Sequence, residues 1–368
     1  MNNSNTIQNR IQALQRVLRD KQMDAAAIYD RENLIYFAGV TDIEGGCLIV
    51  PAEGEPKLLC LWLDAKHIRE QSGLDTVIPY FFPGENVSLK TAQLLEEQFG
   101  SGPRIGFTRY FISLKDYQCL MDKMPGMEVC DIAVDCYKIR SVKDAEEIRL
   151  ISKAAGFLSE GMQAAFDCLK PGMTEAQVLA EAEYAMRKAG SEGSSFRMQV
   201  LRHDRQQLVH PYAGDFVIDD NQPVVIHLGA SYKGYTAKMC RTAFLGNAPA
   251  ETVEMYRFIA ELQDIAVRTL VPGVRSSEIF DAVFDAVHKK GYAKMYMEHI
   301  GYGVGIRQSE FYPIIGKGLD HEIRENMVVD LLLPTVYDPK AGGPRLTDTL
   351  LVTSGEAQFL TRFPREPK

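Results

Sequence analysis

The chain has 368 residues, 46% of them hydrophobic and 24% charged, with a formal net charge of −8. This is room for two domains with sizeable cores, and mild acidity spread along the chain gives no electrostatic basis for nucleic-acid or anionic-membrane partners. No apolar run reaches the roughly 20 residues that span a bilayer, and the opening MNNSNTIQNR lacks the basic-then-apolar layout of a signal peptide.

The first element reads as a helix. Ser4 or Asn5 can cap it, and Ile7, Ile11, Leu14 and Leu18 fall on one face. Short β-rich runs follow, AAAIYD, CLIVPA and KLLCLWL, and strands alternate with helical stretches to about Cys136. The charged segment KIRSVKDAEEIRLISKAAGFL then starts a new helix. Ser141 is its expected cap, with Ile148, Ile151, Ala155 and Leu158 as its apolar stripe. The domain boundary is placed near Arg140, giving domains 1–139 and 140–368. Seven cysteines, with no CxxC pair, are expected to be reduced thiols of a cytoplasmic protein.

The second part repeats itself. LKPGMTEAQVLAEAEYAMRKAG begins at Leu169 and LVPGVRSSEIFDAVFDAVHKKG at Leu270, so Pro171 matches Pro272, Gly172 matches Gly273 and Gly190 matches Gly291 without a gap. In each copy a Pro-Gly turn stops one helix, a polar residue caps the next and a glycine ends it; Thr174 and Gln177 form a capping box. Each copy leads into an apolar strand and a second strand after it. Two such copies predict a pseudo-two-fold domain, with antiparallel sheet from both halves meeting in the middle and helices outside.

VVIHLGASYKGYTAKMCRT, Val224 to Thr242, reads as a hairpin. A turn centred between Tyr232 and Lys233 pairs His227 with Lys238. Alternation puts Val225 and Cys240 on the same face, so a base, a cation and a thiol converge where core is expected.

Four stretches carry a family resemblance. RENLIYFAGV, GYTAKMCRT, GYGVGIRQSE and AGGPRLTDTLLVT occur in the order, and with much of the residue pattern, of the creatinase, prolidase and aminopeptidase P family of pita-bread proteins. The resemblance covers nearly the whole chain. It implies an α/β (α+β) protein, with a creatinase-type N-terminal domain followed by a pita-bread domain. From creatinase it also implies a homodimer, with the N-terminal domain near the partner's site, at about Phe37 to Glu44.

Peptidases of that family hold two metal ions with two aspartates, a histidine and two glutamates. Those positions fall here on His227, Lys238, Tyr302, Leu332 or Leu333, and Thr347, and a further family histidine falls on Ser309. Gly301, Gly303, Gly305, Glu310, Arg345 and Asp348 match the motifs. Leucine and threonine cannot replace bridging carboxylates, and an ammonium about 4 Å from a dication is repelled by roughly 8 kcal/mol at an effective dielectric near 20. The expectation is therefore no metal and no cofactor.

Creatinase works without metal, and its acid/base histidine falls on His210. The glutamates with which creatinase grips its cationic substrate fall on Cys240 and on Leu332 or Leu333, which cannot bind a guanidinium. The resulting expectation is a metal-independent, creatinase-like hydrolase cleaving a C–N bond of a small polar metabolite. His210 is its acid/base, with Tyr302 and Lys238 in catalytic roles. His227, Cys240, Arg307, Glu310, His203 and Arg345 are assigned to the substrate. The alternatives are a catalytically silent pita-bread binding protein and an Xaa-Pro peptidase.

Overall fold

The computed structural model describes residues 3–108, 113–194, 196–334, 338 and 341–367. The chain divides into two compact units, Met1–Arg140 and Ser141–Lys368. Among the described residues no helix is long and apolar enough to cross a membrane.

In the first unit the strands β1 (Ala25–Ile28), β2 (Cys47–Pro51), β3 (Lys57–Leu61), β4 (Val77–Tyr80), β5 (Arg104–Phe107) and β6 (Glu128–Asp131) form one mixed sheet in the order β4-β3-β2-β1-β5-β6. The helices α1 (Asn3–Asp20), α2 (Arg31–Ala38), α3 (Ala65–Gln71), α4 (Val87–Phe99), α5 (Leu114–Lys123) and α6 (Ala133–Ser141) alternate with them. Helix α1 starts at Asn3, ahead of both expected caps, yet Ile7, Ile11, Leu14 and Leu18 are buried as the stripe requires.

The second unit opens with α7 (Ala145–Cys168). Its cap is Asp144, not Ser141: the Asp144 carboxylate accepts the Glu147 amide and the Glu147 side chain accepts the Asp144 amide. Ser141 instead ends α6. The remaining elements are α8 (Glu175–Ala189), β7 (Gln199–Leu201), β8 (Pro223–Tyr232), β9 (Tyr235–Phe244), α9 (Ala250–Thr269), α10 (Ser276–Lys289), β10 (His299–Gly303), β11 (Glu310–Gly316), β12 (Val328–Pro334), β13 (Arg345–Leu351) and β14 (Gln358–Phe359).

The internal repeat is a structural one. Gly172 and Gly273 turn with φ of 88° and 91°, conformations that favour glycine. Their amides donate to Ile218 and Ile323 at 2.9 and 2.8 Å. Thr174 bridges Val217 as Arg275 bridges Glu322. The Thr174–Gln177 capping box is present. The sheet runs β11-β10-β12-β13-β9-β8-β7, with β14 beside β13, so the two halves meet at β13 and β9. Helix α7 packs on β8 and β9, and α9 on β12 and β13.

The seam between the halves has one laddered pair, Thr347 with Cys240. Threonine hydroxyls take the place of further ladder bonds. Thr242 Oγ1 accepts the Arg345 amide at 2.8 Å and donates to its carbonyl at 3.0 Å. Thr349 Oγ1 does the same for Lys238, at 3.1 and 2.9 Å. These bonds satisfy backbone groups that burial would otherwise strand.

The hairpin of β8 and β9 departs from the expected register. Tyr232 pairs with Tyr235, His227 with Cys240, and Gly229 with Lys238. The loop is Lys233-Gly234, both with positive φ, 48° and 79°, the signature of a two-residue I′ turn. The register has moved by two residues, so each side chain keeps its face.

Candidate functional site

The pleat sorts the motif residues onto two faces. On the face toward α7, the Tyr235 hydroxyl donates to Glu147 at 3.1 Å. Arg241 there donates to Asp348 at 2.8 Å, to the carbonyls of Cys240 and Thr347, and to those of Phe363 and Pro364. Asp348 also accepts from Thr361 and Gln263. This buried network ties the C-terminal segment to the sheet seam, and it gives Arg241 and Asp348 a structural reason to be present.

The other face forms a cavity of about 630 Å³. Its floor comes from neighbouring strands: Gln199 on β7, His227 on β8, Lys238 on β9, Arg345 and Thr347 on β13, and Tyr302 on β10. Its walls are apolar or cationic, with Phe196, Val209, Met297 and Phe311 beside Arg197 and Arg307.

Lys238 is the best-anchored floor residue. Its ammonium pairs with the carboxylate of Asp330 on β12 and donates to Ser309 Oγ at 3.0 Å. The other Asp330 oxygen accepts the Tyr302 amide at 2.7 Å. One carboxylate thus fixes both the cation and the backbone beneath the phenol. Burial pushes the Asp330 carboxyl above its ordinary range, against the pull of Lys238. The Tyr302 hydroxyl reaches toward His299 Nδ1 at 3.5 Å, and burial, then Asp330, raises its phenol above the usual value.

His227 lies against the Phe196 ring, centroids 4.9 Å apart. Gly229 makes this possible, since a Cβ there would come within 2.2 Å of Phe196 Cε1. Burial, then Lys238 and Arg345, hold the imidazole well below its usual pKa, so it is neutral at neutral pH. Its Nε2 is buried without a hydrogen-bond partner.

His210 sits on an exposed rim loop that lines the cavity. Its backbone is bolted to the floor. Arg197 donates to the His210 carbonyl at 2.6 Å, Gln199 to the carbonyls of Val209 and Pro211, and Arg345 to those of Gln206 and Leu208. Partial burial, then Arg345, Arg197 and Lys238, lower the His210 pKa.

His210, Tyr302, Lys238, His227, Arg307 and Arg345 therefore converge on one cavity. Three expected site residues do not line it. Cys240 is buried with Leu201 and Val225, and its thiol is pushed up to about 12, which removes it as a contact or nucleophile. Glu310 is buried beside Gly305, where a Cβ would come within 2.8 Å of its Oε1. His203 packs on the turn glycine Gly342 and donates its amide to Gln222. The side chains of Leu332 and Leu333 lie outside the described residues, although the backbone register pairs Leu332 with Thr347.

Sequence reasoning missed Asp330, Gln199, Arg197 and Phe196. The signal for Asp330 was a single acid inside the apolar strand MVVDLLLP, which a buried lysine nearby requires.

Similarity to known proteins supplies independent findings. Residues 149–354 match the model of metallopeptidase family M24, and residues 10–142 that of the creatinase/prolidase N-terminal domain. An Xaa-Pro dipeptidase of Pyrococcus furiosus is 28% identical over 97% of this chain and 99% of its own. A putative dipeptidase, YkvY, of Bacillus subtilis is 27% identical over 97% and 99%. The solved prolidase from Pyrococcus horikoshii has a TM-score of 0.89 and 26% identity, covering 97% of this chain and 99% of that one. These relatives overturn the expectation of a creatinase-like, metal-independent hydrolase of a small polar metabolite: the full-length likeness is to dipeptidases.

Proposed function

Starting from the premise that the chain belongs to metallopeptidase family M24, with a creatinase/prolidase-type N-terminal domain, we propose that its cavity receives short, dipeptide-sized peptides and that the protein acts on them as a hydrolase. The observation that carries this reading is the likeness to an Xaa-Pro dipeptidase across 97% of the chain. A cavity of about 630 Å³, with apolar side chains in its walls and polar ones in its floor, has the scale and polarity for such a ligand.

The family name implies metal ions, and the described residues do not fit them. Lys238 places an ammonium in the floor, paired with Asp330, beside His227, Tyr302 and Thr347. Among the described residues no group of three or more His, Cys, Asp and Glu side chains could hold a metal. What the residues offer is a fixed cation at Lys238, a phenol donor at Tyr302 and a neutral imidazole at His227. A carboxylate, or a carbonyl oxygen gaining negative charge, is stabilised by such donors.

The Lys238–Asp330 pair favours a second reading, in which peptide is bound without cleavage. Each charge is already satisfied by the other, so neither is free to carry a proton through a reaction.

The test is to titrate the full chain with leucyl-proline, methionyl-proline and glycyl-proline by calorimetry while measuring proline release, with and without added Mn²⁺, Co²⁺ or Zn²⁺. Binding with release supports the hydrolase. Binding without release under every condition assigns the second reading. If none of the peptides binds, the proposal is overturned.

A further inference from the structure

The cations around the cavity floor are engaged within the protein itself. Lys238 is held by Asp330 and Ser309. Arg345 donates to Gln199 and to the carbonyls of Gln206 and Leu208, and Arg197 to the His210 carbonyl and the Tyr212 hydroxyl. Gln199 in turn gives its amide to Val209 and Pro211.

Two neutral groups of the floor are in a different state. Among the described residues the Thr347 hydroxyl has no hydrogen-bond partner, although Thr347 is only 3% exposed. The His227 ring makes no hydrogen bond there either. Its Nε2 is sealed from solvent, whereas His227 Nδ1 and Thr347 Oγ1 are not, and both residues line the cavity.

The sheet sets this open pair in one row. Gln199, His227, Cys240 and Thr347 are successive ladder partners across β7, β8, β9 and β13, so their side chains share one face. Cys240, between the open pair, is a fully buried thiol. With strands about 4.8 Å apart, the Cα atoms of His227 and Thr347 are about 10 Å apart, close enough for one ligand residue to lie between them.

The chemistry of the pair selects a class of ligand. Burial, then Lys238 and Arg345, keep His227 neutral. A neutral imidazole has one donor and one acceptor nitrogen, and a hydroxyl both donates and accepts. A ligand hydroxyl or carboxamide does both, so it can pair with either group. An ionised carboxylate only accepts and an ammonium only donates, and each would lose its water against a floor whose charges are already paired. An aliphatic side chain lying over the row would leave both groups stranded.

We infer that His227 Nδ1 and Thr347 Oγ1 form an uncharged hydrogen-bonding seat for a hydroxyl or carboxamide side chain of the ligand. On the peptide reading above, on which this rests, the preferred peptides carry serine, threonine, asparagine or glutamine at the residue that reaches the floor.

The experiment exchanges a hydroxyl for a methyl at constant shape. Threonyl-proline, valyl-proline and aspartyl-proline, and leucyl-threonine, leucyl-valine and leucyl-aspartate, are titrated into the full chain by calorimetry, so that the side chain is offered from either end of the peptide. Apolar walls alone would favour valine. The seat is expected to make the threonine peptide of at least one series bind about tenfold tighter than its valine counterpart, and no weaker than the aspartate peptide. The preference is then measured in His227→Phe, which keeps a ring against Phe196, and in Thr347→Val, which keeps the shape, with melting curves to verify that each variant is folded. Loss of the preference in either variant supports the seat. Valine binding as tightly as threonine in both series, tighter binding of the aspartate peptides, or a preference retained in both variants overturns it.

N-acetylthreonine amide and N-acetylvaline amide offer the same two side chains without a dipeptide. If the protein distinguishes them while no dipeptide binds, the seat stands and the peptide reading falls. If the dipeptides bind without regard to the hydroxyl, the peptide reading stands and the seat falls. If no probe binds, both fall.

Discussion

Lys238 and Asp330 close an ion pair in the floor of the cavity, their side chains 5% and 0% exposed. They come from different halves of the pseudo-two-fold domain, β9 and β12, and the Asp330 carboxylate also carries the Tyr302 amide of β10. A cation, Lys238, therefore stands as a covalent part of the protein in this floor.

Breaking this pair from one side leaves an uncompensated buried charge. Asp330→Asn keeps an acceptor for the Tyr302 amide and removes only the charge. It is expected to destabilise the second unit by about 3–5 kcal/mol, whereas the double variant Lys238→Met/Asp330→Leu, which removes both charges, is expected to lose much less. Urea denaturation of the parent, the single and the double variants checks this. An Asp330→Asn protein as stable as the parent would show that the pair carries no such weight.

Arg241 and Asp348 make the complementary case on the other face of the same strands. Five donated bonds leave the Arg241 guanidinium, and those to Phe363 and Pro364 hold the C-terminal segment. Asp348→Asn is expected to cost about 3 kcal/mol or more, because it strands a buried guanidinium. Limited proteolysis is expected to cut after residue 360 in the variant before it cuts the parent. A variant with unchanged melting and unchanged cleavage would refute the role of the network.

The repeat was readable because its signals are local. Pro-Gly turns, a Thr-x-x-Gln capping box and terminal glycines act within a few residues, and the structure places both copies alike. The hairpin turn lies one residue later than expected, because centring it on Lys233 and Gly234 puts a glycine rather than a tyrosine at one of the two positive-φ positions, 48° and 79°. The convergence of His227 and Lys238 on one face survived, since a slip of two residues preserves the alternation. Asp330 was overlooked for a different reason. The family pattern drew attention to Leu332 and Leu333, whereas the partner a buried lysine needs lies two positions earlier, on a strand about 90 residues distant in sequence. A long-range pair leaves no local signature, and Cys240 shows the converse: sharing the face of His227 did not place it at the surface of the cavity.

The wall beside His227 depends on the absence of one carbon. A Cβ on Gly229 would lie 2.2 Å from Phe196 Cε1 and 2.7 Å from Ser194 Oγ, closer than real contacts allow. Gly229→Ala is expected to destabilise by about 1–3 kcal/mol by forcing Phe196 off the imidazole. Adding Phe196→Leu is expected to recover part of that loss, because a shorter side chain leaves room for the new methyl. Thermal melting of the two variants measures it, and a double variant less stable than Gly229→Ala would contradict the packing argument.

The neutral state of His227 makes a prediction about pH with a definite sign. Its pKa is lowered in the folded protein, by burial first and then by Lys238, Arg345 and His210, whereas in the unfolded chain it is about 6.5. Below that value the unfolded chain takes up a proton that the folded protein refuses. Stability is thus complete above about pH 6.5 and declines as the pH falls from there toward the folded value, by up to about 1.4 kcal/mol per pH unit for one proton. His227→Gln removes the group, so the difference in unfolding free energy between variant and parent should shift in the variant's favour between pH 7.5 and pH 5.5. Asp330, whose carboxyl is raised by burial, contributes the opposite slope, but it is present in both proteins and cancels in the difference. Parallel stability curves for the two proteins across this range would mean that His227 is not held neutral by its surroundings.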